Sequence, residues 1–117
     1  MEITSAIAAL SALAQNTRLE TFRLLVRHEP DGVPAGELAR LLGVPQNTMS
    51  AHLATLSRAG LVKSERQSRS IIYRADLDGF RDLTLFLLKD CCGGSTELCA
   101  PLIAELAPCC PPGAKPC

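Results

Sequence analysis

The segment that most restricts the fold of this chain is residues 34–62, which contains two short helical patterns separated by a glycine and a proline. Residues 35–42 predict the first helix, and Gly43 stands where a left-handed glycine commonly ends one. Pro45 suits the start of the second helix, predicted over residues 46–59. This arrangement is typical of a helix-turn-helix, whose second helix can enter the DNA major groove. An ordinary helical hairpin within a bundle is the alternative.

The second of these helices has two different faces. Large apolar residues recur at helical spacing and predict an inward face, formed by Met49, Leu53 and Leu56. The opposite face is small and polar, so the helix backbone can approach another surface closely. The residues of that face are Asn47, Thr48, Ala51, Ala54, Thr55 and Arg58. On the first helix, the residues expected to share one apolar side are Leu38, Leu41 and Leu42.

Two strand-like runs follow the second helix and predict a β-hairpin. The runs are residues 61–65 and 70–74, and the loop between them carries Arg66 and Arg69. A hairpin with a basic tip directly after a helix-turn-helix is typical of a winged helix, in which the tip lies near DNA phosphates. DNA binding is therefore favoured over the helical hairpin.

The flanking segments predict three further helices and one short strand. Residues 2–15 form a helix so apolar that it is either a core helix or, as we favour, a helix that packs against a partner subunit. Residues 18–28, capped by Asn16 and Thr17, follow it. Residues 32–34 predict a strand beside the wing, and residues 76–89 predict the last helix. The residues of the second flanking helix expected to face the core are Leu19, Phe22, Leu25 and Val26.

Composition fits one small helical domain with little aromatic content. The chain has 117 residues and a formal net charge of zero, so whole-chain electrostatics does not indicate nucleic acid. Any DNA affinity has to come from a local basic cluster, and it should fall steeply with salt. The basic residues of the helix and wing are Arg58, Lys63, Arg66, Arg69 and Arg74. No run is long or apolar enough to span a membrane, and we expect a cytoplasmic protein.

Taken together, these elements resemble the ArsR family of metal-responsive winged-helix repressors. The resemblance covers residues 1 to about 90, and its most specific pieces are NTRLETFRLL and QNTMSAHLATLSRAGLV. It implies a mainly α fold with a small β-hairpin wing, and a homodimer joined through the first and last helices. It also implies double-stranded operator DNA containing an inverted repeat as the partner. No enzymatic activity is expected.

The resemblance assigns residues to DNA contact. The start of the recognition helix reads bases in the family, which here implicates Gln46, Asn47 and Ser50, and the wing residues Arg66 and Arg69 would contact the backbone. Many members have a histidine where Ala51 stands, so one contact of the family is missing. For His52, packing or phosphate contact is favoured over base reading. The predicted DNA-contacting set is completed by Thr48, His52 and Arg58.

Two sensing sites of the family are absent from this sequence. Arsenic-responsive members carry an ELCVC-like motif in the first helix of the helix-turn-helix, whereas residues 37–41 read ELARL here. Zinc-responsive members use histidines and carboxylates on the last helix. Asp76, Asp78 and Asp82 have no histidine near them in sequence. Sensing is therefore expected in residues 91–117, which we treat as a separate cysteine-rich tail after a domain of residues 1–90.

All six cysteines lie in that tail, as two copies of one pattern: a vicinal pair, six residues and a third cysteine. Three soft thiolates suit a trivalent thiophilic ion, As(III) or Sb(III). The expected primary site is Cys91, Cys92 and Cys99, and the possible second site is Cys109, Cys110 and Cys117. A secreted disulfide framework does not suit a cytoplasmic DNA-binding protein.

Other uses of these thiols stay open. A zinc tetrathiolate could form from the two vicinal pairs, although neither segment has the usual spacing of a zinc knuckle. A repressor that senses oxidation through the vicinal thiols is the main alternative. A thiol-dependent arsenate reductase would need a phosphate-type anion loop, and none precedes any cysteine. A storage or metallochaperone tail on a degenerate DNA-binding domain is a further possibility.

Overall fold

Five helices and three short strands make up the part of the chain that the structure, a computed structural model, describes, which is residues 1–88. Residues Met1–Phe86 belong to one compact unit. The elements are α1 (Ile3–Leu13), α2 (Asn16–Arg27), β1 (Val33–Pro34), α3 (Ala35–Leu42), α4 (Gln46–Arg58), β2 (Val62–Gln67), β3 (Ser70–Ala75) and α5 (Leu77–Leu88). This order confirms the predicted mainly helical fold with a small wing. The predicted division into residues 1–90 and 91–117 stays a prediction.

The core is built from aliphatic side chains. The large apolar side chains that are fully buried come from α2, α3, α4, α5 and the start of the wing, and they are Leu25, Leu38, Met49, Leu53, Leu56, Leu61 and Leu83. The inward face predicted for the second helix of the helix-turn-helix is therefore confirmed. Thr21 is buried among them, and its hydroxyl donates a hydrogen bond to the Thr17 carbonyl at 2.7 Å.

The wing is a three-stranded antiparallel sheet in the order β1-β3-β2. Val33 pairs with Tyr73 and Pro34 with Ile72, which confirms the short strand predicted beside the wing. The placement of Arg66 in the hairpin loop was wrong, because Arg66 lies within β2 and pairs with Ile71. The loop is a two-residue turn at Ser68 and Arg69. Polar residues on an exposed hairpin give no apolar alternation, so the sequence pattern stopped two residues short of the end of β2.

Two helix starts differ from the prediction. Gln15, rather than Asn16 or Thr17, caps α2, because its side-chain oxygen accepts the Arg18 backbone N–H at 2.8 Å. Asp76 precedes α5 instead of belonging to it, and its carboxylate accepts the Gly79 backbone N–H at 3.0 Å. In both places a polar side chain satisfies a free backbone N–H of the first helical turn.

Three leucine or valine side chains that were expected in the core are exposed. Leu19 and Val26 of α2 are 44% and 40% exposed, because Thr21, Phe22 and Leu25 occupy the centre of the inward face. Leu41 of α3 is 45% exposed, and the buried neighbour of Leu38 is Ala39. A short helix turns one narrow stripe toward the core, so apolar residues at the edge of that stripe stay in solvent.

The first helix distributes its side chains in an unexpected way. Its buried residues are all alanines, Ala6, Ala9 and Ala12, whereas its large apolar residues Ile3, Ile7 and Leu10 point away from the core. Ile7 is 60% exposed. The core-helix alternative therefore describes only the alanine face of α1. Within residues 1–88, no helix has the length and apolar character needed to cross a membrane.

Candidate nucleic-acid interface

The turn between α3 and α4 fixes the angle at which the recognition helix, α4, leaves the helix pair. Gly43 has φ 66° and ψ 34°, a left-handed conformation that a residue with a Cβ adopts at a cost. The backbone N–H groups of Gly43 and Val44 donate to carbonyls in the last turn of α3, including Ala39 at 3.1 Å. Pro45 is extended, and its carbonyl accepts the Met49 N–H at 3.0 Å to start α4.

The first turns of α4 present the residues that were predicted to read bases. Gln46, Asn47, Thr48 and Ser50 are all exposed and lie together on this end of the helix. The Asn47 side-chain oxygen accepts the Thr48 backbone N–H at 3.0 Å, so the Asn47 amide nitrogen keeps its two hydrogens for an outside acceptor. Amide and hydroxyl groups of this kind can hydrogen-bond to base edges in the major groove.

His52 lies one turn further along and is engaged by another helix. Its ring is half-buried, and its Nδ1 atom is 3.4 Å from Nη1 of Arg18 in α2. The same guanidinium donates through Nε to the Ala12 carbonyl at the end of α1, at 2.6 Å. Arg18 thus joins α1, α2 and α4. Sequence reasoning missed this connection, because the residues are 34 positions apart and no local pattern links them.

Arg58 is separated from the other predicted contacts on α4. It lies in the last turn, about 18 Å from Gln46 if each residue rises by about 1.5 Å. There it borders a cleft of about 270 Å³ between α1, α2 and the end of α4. The residues lining this cleft are Ala8, Ser11, Ala12, Arg18, Thr55, Arg58 and Ala59.

The wing divides its basic residues between different positions. Arg69 lies in the turn, and Arg66 lies in β2 on the hairpin face that it shares with Val62; both arginines are exposed. Arg74 cannot join this cluster, because Glu29 binds it through two contacts, Nη2–Oε2 at 2.9 Å and Nε–Oε1 at 3.3 Å. These hydrogen bonds raise the pKa of the Arg74 guanidinium. The basic surface of the wing is therefore smaller than the sequence suggested.

The helix position where arsenic-responsive relatives carry cysteines holds an ion pair here. Arg40 Nε donates to Glu37 Oε2 at 3.0 Å on the exposed side of α3, and this hydrogen bond lowers the pKa of Glu37. Across residues 1–88, no group of three or more histidine, cysteine, aspartate or glutamate side chains is arranged to hold a metal ion. The predicted ligands Cys91, Cys92, Cys99, Cys109, Cys110 and Cys117 all lie outside the described residues.

Comparison with known proteins identifies this architecture. A family profile described as a helix-turn-helix domain matches residues 13–65. Nodulation protein NolR of Rhizobium meliloti is 33% identical over 88 residues, which cover 75% of this chain and 69% of NolR. Transcriptional activator HlyU of Vibrio cholerae is 34% identical over 68 residues, which cover 58% of this chain. The chain spans 60% of the length of HlyU.

Solved structures with the same fold include an ArsR-like transcriptional regulator from Rhodococcus sp. RHA1, with TM-score 0.69, 27% identity, and 90% of this chain and 94% of that chain covered. A homodimeric winged helix-turn-helix domain from Mycobacterium bovis, described as a possible ArsR-family regulator, has TM-score 0.62 and 26% identity, with 74% and 78% covered. A possible transcriptional regulator for arsenical resistance has TM-score 0.59 and 29% identity, with 68% and 79% covered. This chain therefore belongs to the DNA-binding winged helix-turn-helix transcriptional regulators of the ArsR and HlyU type.

Proposed function

We propose that this protein is a transcriptional repressor that binds an inverted-repeat operator as a homodimer and leaves it when As(III) or Sb(III) binds cysteine thiolates. The observation that carries the proposal is the position of the cysteines. All six follow the last helix, in two copies of the pattern formed by a vicinal pair, six residues and a third cysteine. One structural relative is itself described as a possible regulator for arsenical resistance.

The DNA half of the proposal rests on the exposed start of α4. Gln46, Asn47 and Ser50 present hydrogen-bonding groups beside small residues, so the helix backbone can lie deep in a major groove. The exposed Arg66 and Arg69 of the wing supply the charge for phosphate contacts. Since the whole chain has no net charge, we expect DNA affinity to depend strongly on salt and on these few side chains.

The sensing half of the proposal rests on the chemistry of the donors. Thiolates are soft ligands, and a vicinal pair with a third cysteine can offer three of them to a trivalent ion. We assign Cys91, Cys92 and Cys99 to the inducer site, because this triad follows α5 most directly along the chain. Cys109, Cys110 and Cys117 are assigned to a second site of the same kind.

The fold offers a route by which a change at the dimer helices could reach the DNA. The Arg18 guanidinium binds the end of α1 at the Ala12 carbonyl and lies against His52 in the recognition helix. A displacement of α1 would therefore act on α4 through one side chain. Linkage requires that operator DNA weaken metalloid binding by the same factor by which metalloid weakens DNA binding.

The test is fluorescence anisotropy of the reduced full chain on a labelled fragment of its own upstream promoter. The complex is titrated in parallel with arsenite, antimonite, zinc and peroxide. We expect release by arsenite or antimonite, accompanied by the loss of three reactive thiols for each ion bound at the first site. A complex that only peroxide releases would instead support the thiol redox sensor.

Matched variants separate the two halves of the proposal. Cys91→Ser should bind the operator like the unaltered chain and fail to respond to arsenite. Ser50→Ala should lose operator affinity and keep the thiol titration with arsenite. A Cys91→Ser chain that no longer binds DNA, or that still responds normally, would overturn the assignment of this triad. No operator binding in any condition would overturn the repressor itself.

A further inference from the structure

A second feature, far from the recognition surface, is a groove between α2 and α5. Its volume is about 400 Å³, within the range of pockets that hold small organic ligands. Residues from both helices line it, and they are Phe22, Arg23, Val26, Arg27, Leu77 and Phe80. None of these residues belongs to the predicted DNA-contacting set or to the predicted metalloid ligands.

The floor of the groove is aromatic and aliphatic. The Phe22 and Phe80 rings are 5.4 Å apart between centroids and are tilted by 40°, so one ring from each helix forms a joint apolar surface. Phe22 is buried, whereas Phe80, Val26 and Leu77 remain exposed above it. A cluster of large apolar side chains open to water favours an apolar occupant, because covering it removes that surface from solvent.

The edge of the groove is positively charged. Arg23 and Arg27 are four residues apart on α2, so their side chains are neighbours on one helix face, and both are exposed. The ion pairs within residues 1–88 are Arg40 with Glu37 and Arg74 with Glu29, which leaves Arg23 and Arg27 without a carboxylate in this part of the chain. Two like charges one turn apart repel each other, and an anion between them removes that repulsion.

We propose that this groove binds an amphipathic carboxylate, with the apolar body on the Phe22–Phe80 floor and the carboxylate between Arg23 and Arg27. Guanidinium groups bind carboxylates through paired N–H donors, which gives the head group a defined position. The apolar body sets the affinity through buried area, and the two arginines discriminate an acid from a neutral molecule of the same length.

A second copy of this chain is the competing occupant, and charge argues against it. The exposed apolar face available for self-association is that of α1, which carries Ile3, Ile7 and Leu10. No acidic residue lies within α1, so its docking here would cover the rings and leave both guanidiniums unpaired. A carboxylate ligand satisfies the apolar floor and the charged edge together.

An occupant of this groove would contact two helices at once. Because α2 also packs against α3 and α4, a ligand that changes the position of α5 on α2 is thermodynamically linked to the DNA-binding elements. The groove is therefore a candidate second input, chemically unrelated to the cysteines. Its occupancy can be measured without DNA and without metalloid.

The experiment is isothermal titration calorimetry of the reduced full chain with decanoate below its micelle concentration, beside the neutral control decanol. We expect decanoate to bind at one site per chain and decanol to bind about tenfold or more weakly. The double variant Arg23→Gln/Arg27→Gln should reduce decanoate affinity to the level of decanol. Arg81→Gln, which removes an exposed arginine of α5 that does not line the groove, should leave the affinity unchanged.

Val26→Asp gives an independent check, because it places a carboxylate in the groove at an exposed position that the core does not need. It should abolish decanoate binding and leave the thermal unfolding midpoint unchanged. Absence of decanoate binding, equal binding of decanol, or indifference to the Arg23/Arg27 double change would each overturn the proposal. So would an affinity that falls as protein concentration and self-association rise, because a second copy would then occupy the groove.

Discussion

The first helix and the recognition helix place their large and small side chains on opposite sides. The buried face of α4 consists of Met49, Leu53 and Leu56, and its exposed face carries small residues such as Ser50 and Ala51. In α1 the buried face consists of alanines, and the exposed face carries large apolar residues. Both helices have a helical apolar period, yet the period marks the core in one and the outer surface in the other.

The difference follows from what each outer face has to approach. A helix that enters a DNA groove gains from small side chains, because its backbone and polar groups then reach the bases. A face of isoleucine and leucine is unfavourable in water and gains when another apolar surface covers it. On the inner side, the alanines of α1 let that helix pack closely on the core, whereas α4 fills the core with its own side chains.

Leu53→Ala should have the largest effect on folding, because it empties the buried face of α4. Leu53 is fully buried at the centre of the core. We expect the free energy of unfolding to fall by about 2–5 kcal/mol, as the lost burial and the cavity both contribute. Urea denaturation followed by circular dichroism measures the change. Ser57→Ala, an exposed position on the same helix, is the control and should alter stability by less than about 0.5 kcal/mol.

Ala9→Leu tests the opposite arrangement in α1. Ala9 is fully buried, so the added atoms have no space between α1 and the core. Overpacking of this kind should lower the free energy of unfolding by about 1–3 kcal/mol. Ala8→Leu adds the same atoms at the exposed neighbouring position and should leave stability within about 0.5 kcal/mol. Equal effects of the two changes in urea denaturation would show that α1 has no closely packed inner face.

The sequence predicted best what neighbouring residues decide. The bounds of α3, the left-handed Gly43, the start of α4 and its buried face all rest on signals within one or two helical turns, and all are confirmed. The outward direction of the large residues of α1 could not be read from their spacing. An apolar period identifies a stripe and does not say whether the chain itself or another surface covers it.

The errors share a long-range cause. Arg74 was counted with the basic wing residues, although it pairs with Glu29, 45 positions away in sequence. The contact of Arg18 with His52 was missed for the same reason. Such pairings depend on how elements are brought together and leave no local pattern. The assignments of the six cysteines and of the DNA-contacting side chains stay predictions, which the experiments above address.

Ile7→Ser tests whether the exposed face of α1 is covered by a second copy of the chain. Ile7 is exposed, so the stability of the single chain should change by less than about 0.5 kcal/mol. The dissociation constant for self-association should rise about tenfold or more, which corresponds to about 1.4 kcal/mol. Sedimentation velocity over a concentration series measures it. Leu41→Ser, at a similarly exposed leucine of α3, should leave self-association unchanged; an equal loss there would mean that α1 has no special role.

Ala51→Leu should affect folding least and DNA most, and it completes the comparison by giving α4 the kind of outer face that α1 has. Ala51 is exposed, so a leucine fits without disturbing the core, and the free energy of unfolding should stay within about 0.5 kcal/mol of its original value. Operator affinity should fall about tenfold or more, because the larger side chain holds the helix backbone away from the base edges. Anisotropy titrations measure this fall, with Ala51→Ser as the small polar control that should retain binding. If leucine were tolerated, the small outer face would not be the reason that α4 can approach DNA, and the contrast between the two helices would reflect packing alone.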